Sequence, residues 1–182
     1  MMVVQSMLAA LLFTSHGGVA NNYISMRVVG YENNRPYPLH VSTIHQRASS
    51  GKLHVLSLEA SGKFREMSAA AAKDGFYLKV LSSYRTHSEQ VMMKRKRGEL
   101  AAPAGWSSHQ KGLSVDIHGT TRIFNGKKNR TILYWWLVRN ARKFGFYNDV
   151  EKETWHWTYY GKNPPPKKKK KKTTLKEEND NV

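Results

Sequence analysis

The sequence of 182 residues contains no cysteine. Disulfide bonds are therefore excluded, and so is any metal site built on thiolates, which leaves histidine and carboxylate side chains as the available ligands. No apolar run as long as about eighteen residues follows the N-terminal segment, so we expect no transmembrane domain. Neither absence restricts the protein to one cellular compartment.

Acidic residues are scarce, with 13 against 30 lysines and arginines and a formal net charge of +17. Residues 164–182 hold seven lysines and three acids, a net charge of +4, so the rest of the chain still carries +13. A basic body of this kind predicts a polyanionic partner, such as nucleic acid or an anionic cell surface. No dedicated nucleic-acid motif is present, so we expect no specific nucleic-acid partner.

The two ends differ in composition from the middle of the chain. Residues 1–20 are apolar and end in small residues before Asn21, which is typical of a secretory signal peptide and favours export, although a buried N-terminal helix is the alternative. Residues 164–182 are rich in proline, then lysine, then other polar residues, and we expect a disordered tail. The folded domain is therefore predicted over residues 21–163.

Within that domain, periodicity and capping residues predict a mixture of helices and short strands. Helices are expected at 61–75, 87–98 and 131–145, and strands at 53–58, 77–84, 113–117 and 154–160. Residues 21–52 show only turn signals, at Asn33 and Asn34 and at two prolines. Because strands and helices do not alternate regularly, we expect an α+β fold with a small antiparallel sheet and flanking helices.

Two short segments carry the candidate chemistry. The first, WSSHQKGLSVDIHG at 106–119, contains His109 and Asp116, and the second, ETWHW, contains Glu153 and His156. Two histidines and one aspartate are a complete set of three protein ligands for a catalytic zinc, with the fourth position open for water. His118 shares the strand face of Asp116 and is the second choice of ligand. The remaining histidines, at 16, 40, 45, 54 and 87, are expected on the surface or in loops.

Glu153 is the candidate general base, because zinc lowers the pKa of bound water to about 7 and a nearby carboxylate can then take its proton. In a regular strand, residues three apart point to opposite faces. Glu153 and His156 can therefore serve one metal only if Glu153 precedes the strand, in a loop or bulge.

The pattern SxHxxGxxxD, followed by ExxWHW and preceded by YRT, resembles the VanY-type D-alanyl-D-alanine carboxypeptidases within the LAS group of zinc peptidases. The resemblance extends from about residue 37 to residue 160. It implies a LAS/hedgehog-type domain with one zinc per chain, held by His109, Asp116 and His156. It also implies Glu153 as general base, Arg85 as the group that binds substrate and stabilises the oxyanion, and a substrate pocket lined by Gln90, Ser107 and Trp155.

One position departs from the family pattern, because Ser114 stands where the family usually has alanine. Serine is small enough to leave the site open, and its hydroxyl is expected to change the hydrogen bonding near Asp116. The resemblance further implies that peptidoglycan stem peptides are the substrate, and that the basic surface and tail could contact anionic wall polymers.

Three alternatives remain at this point. The same zinc site occurs in endopeptidases, including phage lysins, that cut the L-Ala–D-Glu bond; the YRTHSEQ motif with Gln90 favours the carboxypeptidases. A non-catalytic polyanion-binding protein is the second alternative, and it would explain only the positive charge of the chain. A hedgehog-like member could keep zinc without activity, but the presence of both Glu153 and Arg85 argues against it.

Overall fold

The computed structural model describes residues 23–165, except for the side chain of residue 124. The predicted signal segment at 1–20 and all but the first two residues of the predicted tail at 164–182 lie outside this range. Within it, no helix is both long and apolar enough to cross a membrane.

The N-terminal part forms a three-stranded antiparallel sheet in the order β1-β2-β3, with strands Ser25–Glu32 (β1), Arg35–Arg47 (β2) and Leu53–Ser57 (β3). Asn33 and Asn34 connect β1 to β2 with φ angles of 49° and 61°. Asparagine tolerates this left-handed backbone, which matches the twist of a tight hairpin. The turn signals at this position therefore mark a long hairpin, whose two strands the sequence pattern did not predict.

A second antiparallel sheet, in the order β4-β5-β9-β8, occupies the centre of the fold. Its strands are Val80–Ser82 (β4), Ser114–Ile117 (β5), Phe146–Tyr147 (β8) and His156–Tyr159 (β9). A separate hairpin pairs Thr121–Phe124 (β6) with Lys127–Arg130 (β7). The predicted α+β class with a small antiparallel sheet and flanking helices is confirmed.

The first helix begins three residues earlier than the sequence predicts, and the second begins at the predicted residue. Helix α1 spans Leu58–Lys73, and Ser61, the predicted first residue, is buried inside it and donates a hydrogen bond to the Leu58 carbonyl. Helix α2 spans His87–Arg97 and is capped by Thr86, which forms a reciprocal capping box with Glu89. A threonine and a glutamate at this spacing satisfy two free backbone amides at once.

The third helix, α3, is shorter than expected. It spans Ile132–Asn140 and continues as a 3-10 turn over Ala141–Phe144. Gly145 ends this turn with a φ of 80°, and a Cβ there would lie 2.7 Å from the Tyr159 ring. Glycine is therefore required both by the backbone conformation and by the close approach of β9.

The main core lies between α1, α3 and one face of the central sheet. It includes Phe64 and Leu137 from the helices and Val115, Ile117 and Trp157 from the sheet, all almost completely buried. Since side chains alternate across a strand, the neighbours of these residues on β5 and β9 must face the other way. Because one face of the sheet packs in the core, the polar residues of β5 and β9 lie together on the opposite face.

We expect Gly112→Ala to destabilise the protein more than Gly51→Ala. Both glycines have a left-handed backbone, with φ angles of 65° and 81°, and alanine in that conformation costs about 1–2 kcal/mol. A Cβ at Gly112 would also lie 2.9 Å from the Ser57 amide nitrogen, whereas Gly51 has no atom within 4 Å. Denaturant unfolding should show an additional loss of at least about 1 kcal/mol for Gly112→Ala; equal losses would contradict this account.

Candidate functional site

The polar face of the central sheet opens into a cleft of about 680 Å³. All eight residues selected from the sequence line it: Arg85, Gln90, Ser107, His109, Asp116, Glu153, Trp155 and His156. They come from the loop after β4, from α2, from the segment before β5, from β5 itself, and from the turn before β9 and its first residue. The fold therefore brings together residues that are up to 71 positions apart in sequence.

His109, Asp116 and His156 form the centre of the cleft. Asp116 on β5 lies directly opposite His156 on β9 in the strand register, and His109 belongs to a 3-10 turn over Ser108–Lys111. His156 Nδ1 is 3.0 Å from Asp116 Oδ1, and His109 Nε2 is 3.3 Å from His156 Nδ1. One donor atom from each residue lies within 4.8 Å of the other two, a spacing that suits a single metal ion.

The second nitrogen of each imidazole is occupied by another group. His109 Nδ1 is 2.7 Å from the Ser83 carbonyl oxygen, and His156 Nε2 is 3.0 Å from Thr158 Oγ1. The Thr158 hydroxyl in turn donates to Asp149 Oδ1 at 3.0 Å. Outer partners of this kind fix the tautomer and orientation of metal-binding histidines. They leave His109 Nε2 and His156 Nδ1 to face the cleft centre.

Ser114, the departure from the family pattern, belongs to the same polar face. Its hydroxyl oxygen is 2.8 Å from Thr158 Oγ1 and donates to Ser108 Oγ at 2.6 Å. The extra hydroxyl therefore donates to the turn that carries His109 and lies beside the group that holds His156. Within residues 23–165 the Ser114 hydroxyl forms no hydrogen bond with Asp116, although the two residues share a strand face.

The directions in which the pKa values of Asp116 and His109 are shifted favour metal binding. Burial alone would raise the pKa of Asp116, but charge interactions and hydrogen bonds with His109 and His156 hold its pKa well below the ordinary value. Burial lowers the pKa of His109, against the opposing effect of the Asp116 carboxylate. An ionised carboxylate and a neutral imidazole are the ligand forms that metals bind.

Arg85 places a positive charge beside Asp116 in the cleft. Its guanidinium donates to Asp116 Oδ2 at 2.7 Å, to Ser82 Oγ at 2.9 Å and to Gln90 Oε1 at 3.2 Å. Gln90 is itself buried and donates to the Ala102 carbonyl at 2.8 Å. Burial lowers the pKa of Arg85 and the Asp116 carboxylate opposes that effect. A positioned guanidinium at this place can bind a carboxylate or a developing oxyanion.

Glu153 lies in the turn before β9, the position it needs if it is to serve the same metal as His156. Its backbone carbonyl accepts a hydrogen bond from the His156 amide at 3.0 Å, while its side chain lines the cleft. Asn148 donates to the carbonyls of both Glu153 and His156 at 2.7 Å and so holds the turn against the strand. Trp155 is half-buried along the cleft, whereas Trp157 packs in the core.

Several supporting residues were not identified from the sequence. Thr158 could have been found, because it stands two positions after His156 on the same strand face. Ser83, Asn148 and Asp149 act through a backbone carbonyl or from a loop, and no sequence spacing marks them. His118, the second choice of ligand, is exposed and lies outside the group because β5 ends at Ile117.

His54 was expected on the surface or in a loop, and that expectation is wrong. It is a buried residue of β3 whose Nδ1 lies 3.1 Å from Ser83 Oγ. The next residue, Val55, donates its amide to the same hydroxyl. His54 therefore supports the segment that carries the Ser83 carbonyl and does not enter the cleft of His109.

Comparison with known proteins agrees with this geometry. The sequence profile of the VanY family, described as D-alanyl-D-alanine carboxypeptidase, matches residues 53–162, which is more than half of the chain. A D-alanyl-D-alanine carboxypeptidase of Enterococcus faecium is 32% identical over 119 residues, covering 58% of this chain and 38% of that protein. The chain thus spans less than half the length of this relative.

Two solved structures share the fold. A mutant of the vancomycin-resistance D,D-pentapeptidase VanY, in complex with Zn(II), gives a TM-score of 0.52 at 25% identity and covers 72% of this chain and 86% of its own. VanYB in complex with D-alanine–D-alanine gives a TM-score of 0.50 at 26% identity, with coverages of 72% and 84%.

We expect Asp116→Asn to destabilise the metal-free protein by about 3–5 kcal/mol, because it leaves the buried Arg85 guanidinium without a counter-charge. Arg85→Gln should have a comparable effect for the converse reason. In urea unfolding with chelator present, the double variant should lose less than the sum of the single losses. Additive losses would show that the two charges do not depend on each other.

Proposed function

Because the chain belongs to the VanY family of D-alanyl-D-alanine carboxypeptidases, we propose that it is a zinc-dependent carboxypeptidase that releases the terminal D-alanine of peptidoglycan stem peptides. The observation that carries the proposal is the convergence of His109, Asp116, His156, Glu153 and Arg85 in one cleft. The Zn(II) and D-alanine–D-alanine complexes of the two structural relatives support the choice of metal and substrate.

The donor set fits zinc. His109 Nε2, His156 Nδ1 and an Asp116 oxygen are the group that would hold it, and two nitrogens with one carboxylate oxygen are a common ligand set of catalytic zinc. The Ser83 carbonyl and the Thr158 hydroxyl already orient the two imidazoles for this purpose. When bound, zinc supplies a Lewis acid that lowers the pKa of water and polarises the scissile carbonyl.

The other residues then have defined tasks. Glu153 would accept the proton of the attacking water and return it to the amine of the leaving D-alanine, as a general base and then a general acid. Arg85 would pair with the negative charge of the substrate, either the terminal carboxylate or the developing oxyanion. Gln90 and Ser82 hold the guanidinium in place for that contact. Trp155 and Ser107 would line the walls that position the peptide.

We expect the purified full chain to release one alanine from a stem pentapeptide ending in D-Ala–D-Ala. Mass spectrometry of the products should show this loss with zinc present, no loss after chelation, and recovery on adding zinc back. Cleavage at the L-Ala–D-Glu bond would instead identify an L-alanyl-D-glutamate endopeptidase. Absence of both products from the zinc-loaded protein would contradict a peptidoglycan peptidase.

Glu153→Gln should reduce turnover by about 10²–10⁴-fold without loss of zinc, because the general base is removed and the three metal-binding side chains remain. Zinc content by atomic emission should stay at one ion per chain. Glu151→Gln is the matched control, since Glu151 is exposed, stands two positions away and does not line the cleft. Full activity of Glu153→Gln would exclude this residue as the base.

We also propose that the protein acts in the cell envelope after export, guided by its apolar N-terminal residues. Its exposed basic residues, such as Lys127, Lys128 and Arg130 on β7, would contact anionic wall polymers. Binding to isolated cell walls should weaken steeply as sodium chloride rises from 50 to 500 mM. Tighter binding to DNA than to walls under the same conditions would contradict this assignment.

A further inference from the structure

Helix α2 presents a second arginine to the cleft. Gln90, Met93 and Arg97 all line the cleft, and they stand at the spacing i, i+3 and i+7 that forms one face of a helix. Arg95 and Lys96 do not line this cleft. The basic run at the end of α2 is therefore not uniform, because its last member faces the site.

Arg97 is not paired with an acid in the described part of the chain. Lys94, one turn earlier, forms an ion pair with Glu99 at 3.2 Å, whereas Arg97 makes no ion pair within residues 23–165. Its side chain is exposed and lines the cleft. Among the described residues, the cleft therefore contains one arginine paired with Asp116 and one without an ion-pair partner.

The helix sets the distance between the two arginines. Gln90 contacts Arg85 and marks its position along α2, and seven residues of α-helix advance about 10 Å. An extended peptide advances about 3.3 Å per residue, so 10 Å corresponds to about three residues. If an extended peptide runs along α2 with its terminal carboxylate at Arg85, its third residue before the scissile bond would lie near Arg97.

We propose that Arg97 is a specificity-determining residue that binds a second carboxylate of the substrate, the free α-carboxylate of the D-glutamate in the stem peptide. This inference rests on the proposed function and adds a charge requirement upstream of the scissile bond. In a stem of sequence L-Ala–γ-D-Glu–L-Lys–D-Ala–D-Ala, the D-glutamate is the third residue before the bond that is cut. A guanidinium binds a carboxylate through two parallel hydrogen bonds, which an uncharged amide cannot reproduce.

The matched substrates are this pentapeptide and its isoglutamine form, in which the α-carboxylate is an amide of the same size. The zinc-loaded wild-type chain should cleave the acid with a kcat/KM about fivefold higher than the amide, the ratio expected for a largely exposed ion pair. The difference should lie in KM and disappear at about 0.5 M salt. Arg97→Gln should remove the preference, and Arg97→Glu should reverse it.

Arg95→Gln is the matched control, because Arg95 lies on the same helix, is exposed and does not line the cleft. It should keep the preference for the acid. Equal kcat/KM for acid and amide in the wild type, or an unchanged preference in Arg97→Gln, would overturn the role of Arg97 while release of D-alanine still supported the proposed function.

A binding measurement tests the carboxylate subsite at Arg97 independently of the proposed reaction. Calorimetry of both peptides with the zinc-loaded Glu153→Gln variant requires no turnover, and the acid should bind about fivefold more tightly than the amide. If the wild type cleaved neither peptide but this difference persisted and vanished with Arg97→Gln, the proposed reaction would fail and the carboxylate subsite would stand. Equal binding of acid and amide would overturn the subsite.

Discussion

The site depends on the pairing of β5 with β9. Val115 opposes Trp157 and Asp116 opposes His156, so one register places two apolar residues in the core and two polar residues at the cleft. A slip of β9 by one residue would turn His156 towards the apolar core and Trp157 towards the cleft, while Asp116 kept its place on β5. The burial of Val115, Ile117 and Trp157 therefore keeps the carboxylate and the imidazole 3.0 Å apart.

The buried polar groups around Asp116 and His156 have ion-pair or hydrogen-bond partners in the surrounding residues. Arg85 neutralises Asp116, and each imidazole has its outer nitrogen bonded to an oxygen of Ser83 or Thr158. Unpaired groups at this depth would be costly, so the network stabilises the fold as well as orienting donor atoms. Ser114 extends the network between the turn of His109 and the strand of His156. The same contacts thus lower the energetic cost of burying these polar groups and orient the donor atoms of the proposed metal site.

The residues predict the structure best where geometry is local. The alternation of LSVDI indicates a strand, and because residues three apart on a strand face opposite sides, Glu153 is expected before β9. They predict it least where contacts between distant segments decide the structure. The start of α1 at Leu58 is set by its connection to β3, and burial of His54 is set by Ser83 from a distant segment. The β1–β2 hairpin was missed because its strands carry polar and proline residues that weaken the period-two signal.

The sequence by itself determined the donor types, the class of fold and the membership of one family, because residue identity and spacing along a chain are local properties. It also limited the metal ligands to histidine and carboxylate through the absence of cysteine. Only the tertiary structure decided which nitrogen of each histidine faces the centre and which arginine of the KRKR run faces the cleft. Those choices follow from strand register and helix phase, which depend on contacts between segments far apart in the chain.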